Sequence, residues 1–78
     1  MKLPRDLSGT DLVQKLLPLG FATARQSGSH IQVRHVSSGE MISVPAHRPL
    51  KVGTLSSILR DVQEVTGLSR DELLKRLQ

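Results

Sequence analysis

The hydrophobic positions change their period twice along this chain, and the two changes divide it into helix, sheet and helix. In DLVQKLLPLG, Leu12, Val13, Leu16 and Leu17 fall at i, i+1, i+4 and i+5 and form one apolar stripe, the spacing of a helix with one buried face. Ser8 precedes the run and Asp11 follows it by three, a capping-box arrangement with Asp in place of the preferred Glu. Pro18 cannot donate an N–H to a continuing turn, so it and Gly20 are expected to end the helix. From Phe21 the period falls to two. FATAR (21–25), HIQVRH (30–35) and MISVP (41–45) read as three strands, separated by short glycine-containing stretches that suit hairpin loops. Ile31 and Val33 point one way and His30, Gln32 and Arg34 the other; Ile42 and Val44 share a face while Ser43 looks out.

After a basic loop at 46–53, AHRPLKVG, the helical period returns. Thr54 is the expected cap of TLSSILRDVQEVTG, with Leu55, Ile58, Leu59, Val62 and Val65 on one face and Gly67 as the stop. Ser69 and Glu72 suggest a second capping box for RDELLKRLQ. Its Leu73, Leu74 and Leu77 suit either a cover for the sheet or a partner surface. The order α-β-β-β-α with a short extra C-terminal helix predicts an α+β fold. A three-stranded antiparallel sheet would carry the helices on its apolar face and leave the polar, basic face open. Double-stranded-RNA-binding domains share this layout, but layout alone does not specify function.

Seventy-eight residues make a single domain, 1–78. A chain this short buries only about 60% of its extended surface, so the core is shallow. It has no cysteine to staple it or to ligate a metal. The N-terminal MKLPRDLSGTD lacks the apolar run of a secretory signal, and no segment approaches the ~18 apolar residues of a membrane span. A cytoplasmic protein without a membrane partner is expected.

Charge changes the picture of the open face. Residues 21–53 hold Arg25, Arg34, Arg48 and Lys51 against Glu40 alone, most of the chain's net +4, and all three histidines as well. Such a centre attracts phosphates or an acidic protein. Phe21 is the sole aromatic residue, so there is no platform of aromatic side chains on which unpaired bases could stack, and an RRM- or OB-type single-strand reader is not expected. An RNA partner would be held through phosphates, 2′-hydroxyls and shape.

The stretch RQSGSHIQVRH (25–35) concentrates the candidate chemistry. His30 leaves a glycine turn on the polar face beside Gln32 and Arg34. A strand histidine is usually a surface or hydrogen-bonding residue. The functional reading is acid–base catalysis, because an imidazole titrating near about pH 6.5 can take a ribose 2′-hydroxyl proton at neutral pH. The 2′-oxygen then attacks its own phosphate, and neighbouring Arg and Lys neutralise the developing charge. Arg25 joins that face only if the hairpin loop is the two residues Gly28-Ser29, which pairs Ser27 with His30; a three-residue loop turns it away. His35 falls on the face of Ile31 and Val33 and is expected to be partly buried. His47, in the basic loop, is a candidate second acid–base group. The spacing of the three histidines fits no compact metal motif, so neither metal nor cofactor is expected. In Lys51-Val-Gly-Thr54, glycine before a helix start exposes backbone N–H groups that can hold a phosphate, or simply begins a helix.

Four stretches in order resemble the HicA-type (YcfA-like) mRNA interferase toxins of toxin–antitoxin systems. They are Gly20-Phe21, Arg25-Gln26-x-Gly28-Ser29-His30, Val44-Pro45-x-His47, and Gly53-Thr54-Leu55-x-x-Ile58-Leu59. The resemblance implies a double-stranded-RNA-binding-like fold, ribonuclease activity on mRNA, and neutralisation by a HicB-type antitoxin. The family's essential histidine maps onto His30; His47 matches its Val-Pro-x-His without a carried-over role. Between Leu59 and Gly67 this chain is roughly one helical turn longer than the commonest family pattern.

The resulting expectation is a metal-independent endoribonuclease with His30 as the acid–base residue and His47 as a candidate second proton carrier. Arg25, Ser29, Gln32, Arg34, Arg48 and Lys51 are the candidate RNA contacts, and an acidic HicB-like antitoxin is expected to cover the basic face. A non-catalytic RNA-binding module and a subunit that meets only protein remain the alternatives.

Overall fold

Ser8 and Asp11 start the first helix by satisfying each other's backbone. The Asp11 N–H donates to Ser8 Oγ at 3.0 Å and the Ser8 N–H to Asp11 Oδ2 at 3.3 Å, closing the expected capping box. The computed structural model describes residues 6–77. Lys2, Arg5 and Gln78, and the first part of the stretch read for a secretory signal, lie outside the described residues.

Helix α1 runs Gly9–Leu16 and tightens into a 3-10 turn at Leu17–Leu19, where Pro18 interrupts the α-helical ladder. That change of pitch corrects the expected stripe: Leu12, Val13 and Leu16 are buried, whereas Leu17 turns outward and is exposed. Strands β1 (Phe21–Ser27), β2 (His30–His35) and β3 (Met41–Pro45) form one antiparallel sheet in the order β1-β2-β3. Strand β1 is two residues longer than expected, because pairing continues to the turn at Ser27 and His30.

Helix α2 spans Val52–Thr66 and α3 spans Arg70–Leu77. Thr54 does not cap α2. The helix begins three residues earlier, with Lys51 as its N-cap and no side chain bonded to the open N–H groups. Leu50 decides this: its side chain is buried and its N–H donates to the Leu7 carbonyl at 2.8 Å, so the chain turns directly after it. The second capping box is half formed. The Glu72 N–H donates to Ser69 Oγ, but Glu72 Oε1 takes the Ser69 hydroxyl, not the Ser69 N–H.

The core lies between the sheet and the helices. Phe21, Ile31, Val33, Ile42 and Val44 from the strands meet Leu12, Leu16, Leu55, Ile58, Leu59 and Val62. Of the two expected uses of the C-terminal leucines, neither is the main one: Leu73, Leu74 and Leu77 are buried where α3 packs chiefly against α2 and α1. Arg70 Nη2 donates to Ser56 Oγ at 2.8 Å and pins α3 to α2. Gly9 allows α1 to approach the end of β3. A Cβ there would overlap the Pro45 carbonyl, and the Gly9 N–H donates to the His47 carbonyl at 3.0 Å. All helices therefore sit on the apolar face, as the strand alternation predicted, and the polar face of the sheet is open. Among the described residues no helix is long and apolar enough to cross a membrane.

Candidate nucleic-acid interface

Two local features set which side chains share the open face. The first is the hairpin turn. Ser27 pairs with His30 across the two-residue loop Gly28-Ser29, with Gly28 at φ 58°, the positive φ that a II′ hairpin turn needs at its first central position. The second is a bulge. Pairing runs Phe21 with His35, Ala22 with Arg34 and Thr23 with Val33, then skips Ala24 and resumes with Arg25 opposite Gln32. Strict alternation from Phe21 would send Arg25 toward the core side; the extra residue turns it back to the face of Gln32.

Cross-strand pairs point to one face, so the open face can be written in rows. Ser27, His30 and Pro45 form one row, Arg25, Gln32 and Ser43 the next, and Ala22, Arg34 and Met41 the third. Gln32 Nε2 donates to Ser43 Oγ at 3.2 Å, which fixes the middle row. Arg25 is diagonal to His30, at a separation of about 7–8 Å between their backbones, within reach of a guanidinium. His30, Arg25 and Arg34 are all exposed. Ser29, also exposed, makes only a long contact, 3.5 Å from its Oγ to His30 Nδ1, and leaves the ring free to meet a substrate.

His30 also borders a groove of about 430 Å³ between the β3 end of the sheet and α2, lined by His30, Ser43, Pro45, Gly53, Thr54, Ser57, Ile58 and Asp61. The first turn of α2 therefore stands beside the histidine with its N–H groups uncapped by any side chain. This is the positive end of a 15-residue helix. Sequence reasoning marked the start of this helix but missed Ser57 and Asp61 altogether. A usable signal was present: Thr54, Ser57 and Asp61 form a stripe of short polar side chains alongside the apolar stripe of α2.

The remaining candidates fall elsewhere. His35 is partly buried; its ring sits 4.9 Å from that of Phe21 and its Nδ1 is 3.2 Å from Ser38 Oγ. His47 is exposed but does not line the His30 groove; its backbone carbonyl holds Gly9. Arg48 acts on the helix layer. The Asp11 carboxyl lies below its ordinary value chiefly because the Ser8 N–H and hydroxyl bond the charged form, with Arg48 and Lys15 adding to the effect and burial opposing it. Lys51 is exposed at the N-cap of α2. Among the described residues no three His, Asp or Glu side chains converge as metal ligands would.

The arrangement offers an exposed imidazole, two guanidinium groups on its face, and a helix N-terminus across a groove. A family model described as the HicA toxin of bacterial toxin-antitoxin matches residues 9–63. That span includes α1, the whole sheet, and α2 up to Gln63, leaving α3 beyond it. No curated protein and no solved structure matches significantly.

Proposed function

The chain belongs to the HicA toxin family of bacterial toxin–antitoxin systems, and on that premise we propose that it is a metal-independent endoribonuclease acting on mRNA, with His30 as its acid–base residue. One observation carries the reading: His30 is exposed on the face that also holds Arg25, Gln32 and Arg34, beside the uncapped start of α2. In the reaction, neutral His30 takes the proton of a ribose 2′-hydroxyl. The 2′-oxygen attacks the adjacent phosphorus, the bond from phosphorus to the 5′-oxygen breaks, and a 2′,3′-cyclic phosphate remains. The leaving 5′-oxygen takes a proton from water or from a second acid, for which His47 is the candidate.

Charge is developed on the non-bridging oxygens during the attack. Arg25 and Arg34 on the sheet, Lys51 at the N-cap, and the N–H groups of the first turn of α2 supply compensating positive charge from fixed positions. Ser29 and Gln32 offer hydrogen bonds to ribose or phosphate oxygens. Arg48 supports RNA only from the periphery, since its charge also serves Asp11. The surface is consistent with a double-stranded-RNA-binding-like mode, in which backbone and shape are read across an open sheet. As a toxin of a toxin–antitoxin system the protein has an antitoxin partner. An acidic HicB-like protein covering the basic face would block RNA and His30 together.

The deciding experiment incubates the purified protein with mRNA, with and without EDTA. Cleavage to 2′,3′-cyclic phosphate ends that EDTA leaves unchanged is expected. Salt-dependent binding without products at any protein concentration would instead make this a non-catalytic RNA-binding module.

A further inference from the structure

The groove beside His30 has a chemical character different from the rest of the interface. Its α2 wall is the stripe Thr54, Ser57, Ile58 and Asp61, and its other wall is Pro45 and Ser43 at the end of β3. Of the two apolar residues, Pro45 is half-exposed and presents its ring to the groove, whereas Ile58 is buried and forms only its floor. The side chains from α2 are short, which leaves the groove open. Asp61 is the only acidic residue among those lining it, and it is exposed. A carboxylate repels phosphate, so the Asp61 end of this wall, away from the helix start, is unsuited to the RNA backbone and suited to a base, whose N–H groups it can accept.

Strand β3 adds a second set of polar groups. It is an edge strand. The Ala46 N–H donates to the Ser29 carbonyl at 2.6 Å and the Glu40 carbonyl accepts from the His35 N–H at 2.8 Å. Even-numbered residues of this strand therefore turn their backbone toward β2, and Ser43 turns its N–H and C=O to the free edge. Ser43 thus brings an unpaired backbone donor to the same groove as the Asp61 acceptor.

We propose that this groove is a base subsite selective for guanine, holding the nucleotide whose 2′-hydroxyl His30 activates. Asp61 accepts the guanine N1–H and 2-amino hydrogens, the Ser43 N–H donates to O6, and the Pro45 ring covers one face of the base. Guanine alone presents two adjacent N–H donors beside a carbonyl acceptor. Adenine and cytosine place a ring acceptor next to their amino group, where it would face the carboxylate, and uracil has one N–H between two carbonyls. The Pro45 ring takes the place of an aromatic stack, since Phe21 is buried in the core. This inference rests on the nuclease reading for the position of the ribose, but the base recognition can be measured apart from cleavage.

The test uses the full chain and short single-stranded RNAs identical but for one central nucleotide: guanosine, inosine, adenosine, cytidine or uridine. Cleavage after that nucleotide is mapped for the wild type and for Asp61→Asn. Binding of the same RNAs is measured with His30→Ala and with His30→Ala combined with Asp61→Asn. A bidentate contact of this kind corresponds to a preference for guanosine of roughly 5- to 150-fold. Inosine, which lacks the 2-amino group, should lose much of it, and Asp61→Asn should bring guanosine to the level of the other bases. Cleavage without base preference, or a preference that survives Asp61→Asn, overturns the subsite and leaves the nuclease reading standing. Guanosine-selective binding through Asp61 with no cleavage by the wild type overturns the nuclease reading and keeps the subsite. Absence of both overturns both.

Discussion

Arg25 stands opposite Gln32 because the two-residue Gly28-Ser29 turn pairs Ser27 with His30. The bulge at Ala24 then shifts the earlier part of the strand, so that Phe21 shares the core side with Ile31 and Val33 while Arg25 stays a neighbour of His30 on the open face. On the proposed nuclease reading, its guanidinium meets a phosphate of the RNA. Arg25→Ala is expected to weaken RNA binding and to reduce the slope of log affinity against log salt by about 1, the signature of one lost phosphate contact. A titration of binding across salt concentrations checks it; an unchanged slope would remove Arg25 from the interface.

Deleting Ala24 should be better tolerated than replacing Arg25. The pairs Thr23 with Val33 and Arg25 with Gln32 would then follow each other without interruption, keeping Arg25 on the same face with less local twist. Comparing RNA affinity of the deletion with that of Arg25→Ala tests whether the facing of Arg25, and not the bulge itself, matters.

His30→Ala is expected to lower RNA cleavage by roughly 10²–10⁴-fold, the usual worth of acid–base assistance, and to abolish growth inhibition. The side chain is exposed and packs against nothing in the core, so thermal unfolding should be close to wild type. A folded variant that cleaves at the wild-type rate would show that the mechanism is wrong. His35→Ala should behave oppositely. It removes a ring contact with Phe21 and should lower stability more than it lowers cleavage.

Asp11 predicts an acid-sensitive start to α1. Its carboxyl lies below the ordinary value of 3.8 because the folded state bonds the charged form at Ser8. A depressed folded-state value means that the stabilisation is complete above about pH 3.8 and is lost as pH falls through the lower folded value. Asp11→Asn should flatten that part of the curve of urea midpoint against pH. A curve identical to wild type below pH 4 would contradict it.

Gly9→Ala should destabilise the protein by about 1–3 kcal/mol, the range for overpacking a tight site, because the added methyl group meets the Pro45 carbonyl. Leu73→Ala should cost about 2–5 kcal/mol, since Leu73 is almost wholly buried between helices. The second result bears on the boundaries of the fold: α3 lies beyond the segment matched by the family model, yet its leucines complete this core. Denaturant unfolding of both variants gives the comparison directly.

Much of this architecture can be read from one chain. The period of the apolar residues sets the element order and the buried faces: Leu12 and Leu16 on α1, Ile31 and Val33 on β2, Ile42 and Val44 on β3, Leu55 and Leu59 on α2. Each of these residues is buried, because an element with one apolar side has a single way to leave water. The same alternation places His30 and Arg34 on the open side, and the Gly28-Ser29 turn limits the hairpin to two registers.

Tertiary structure decided what periodicity leaves free. The choice between registers, and the bulge at Ala24, depend on how the whole of β1 meets β2, and a slip of one residue changes every facing without changing the sequence pattern. The start of α2 was set by Leu50 going into the core and not by Thr54, so the helix N-terminus opened uncapped toward His30. The groove that brings His30 and Asp61 together joins residues 31 positions apart. Their meeting is a property of α2 lying along the end of β3. Local sequence determines which side of an element faces water; only the packing of elements determines which exposed residues share it.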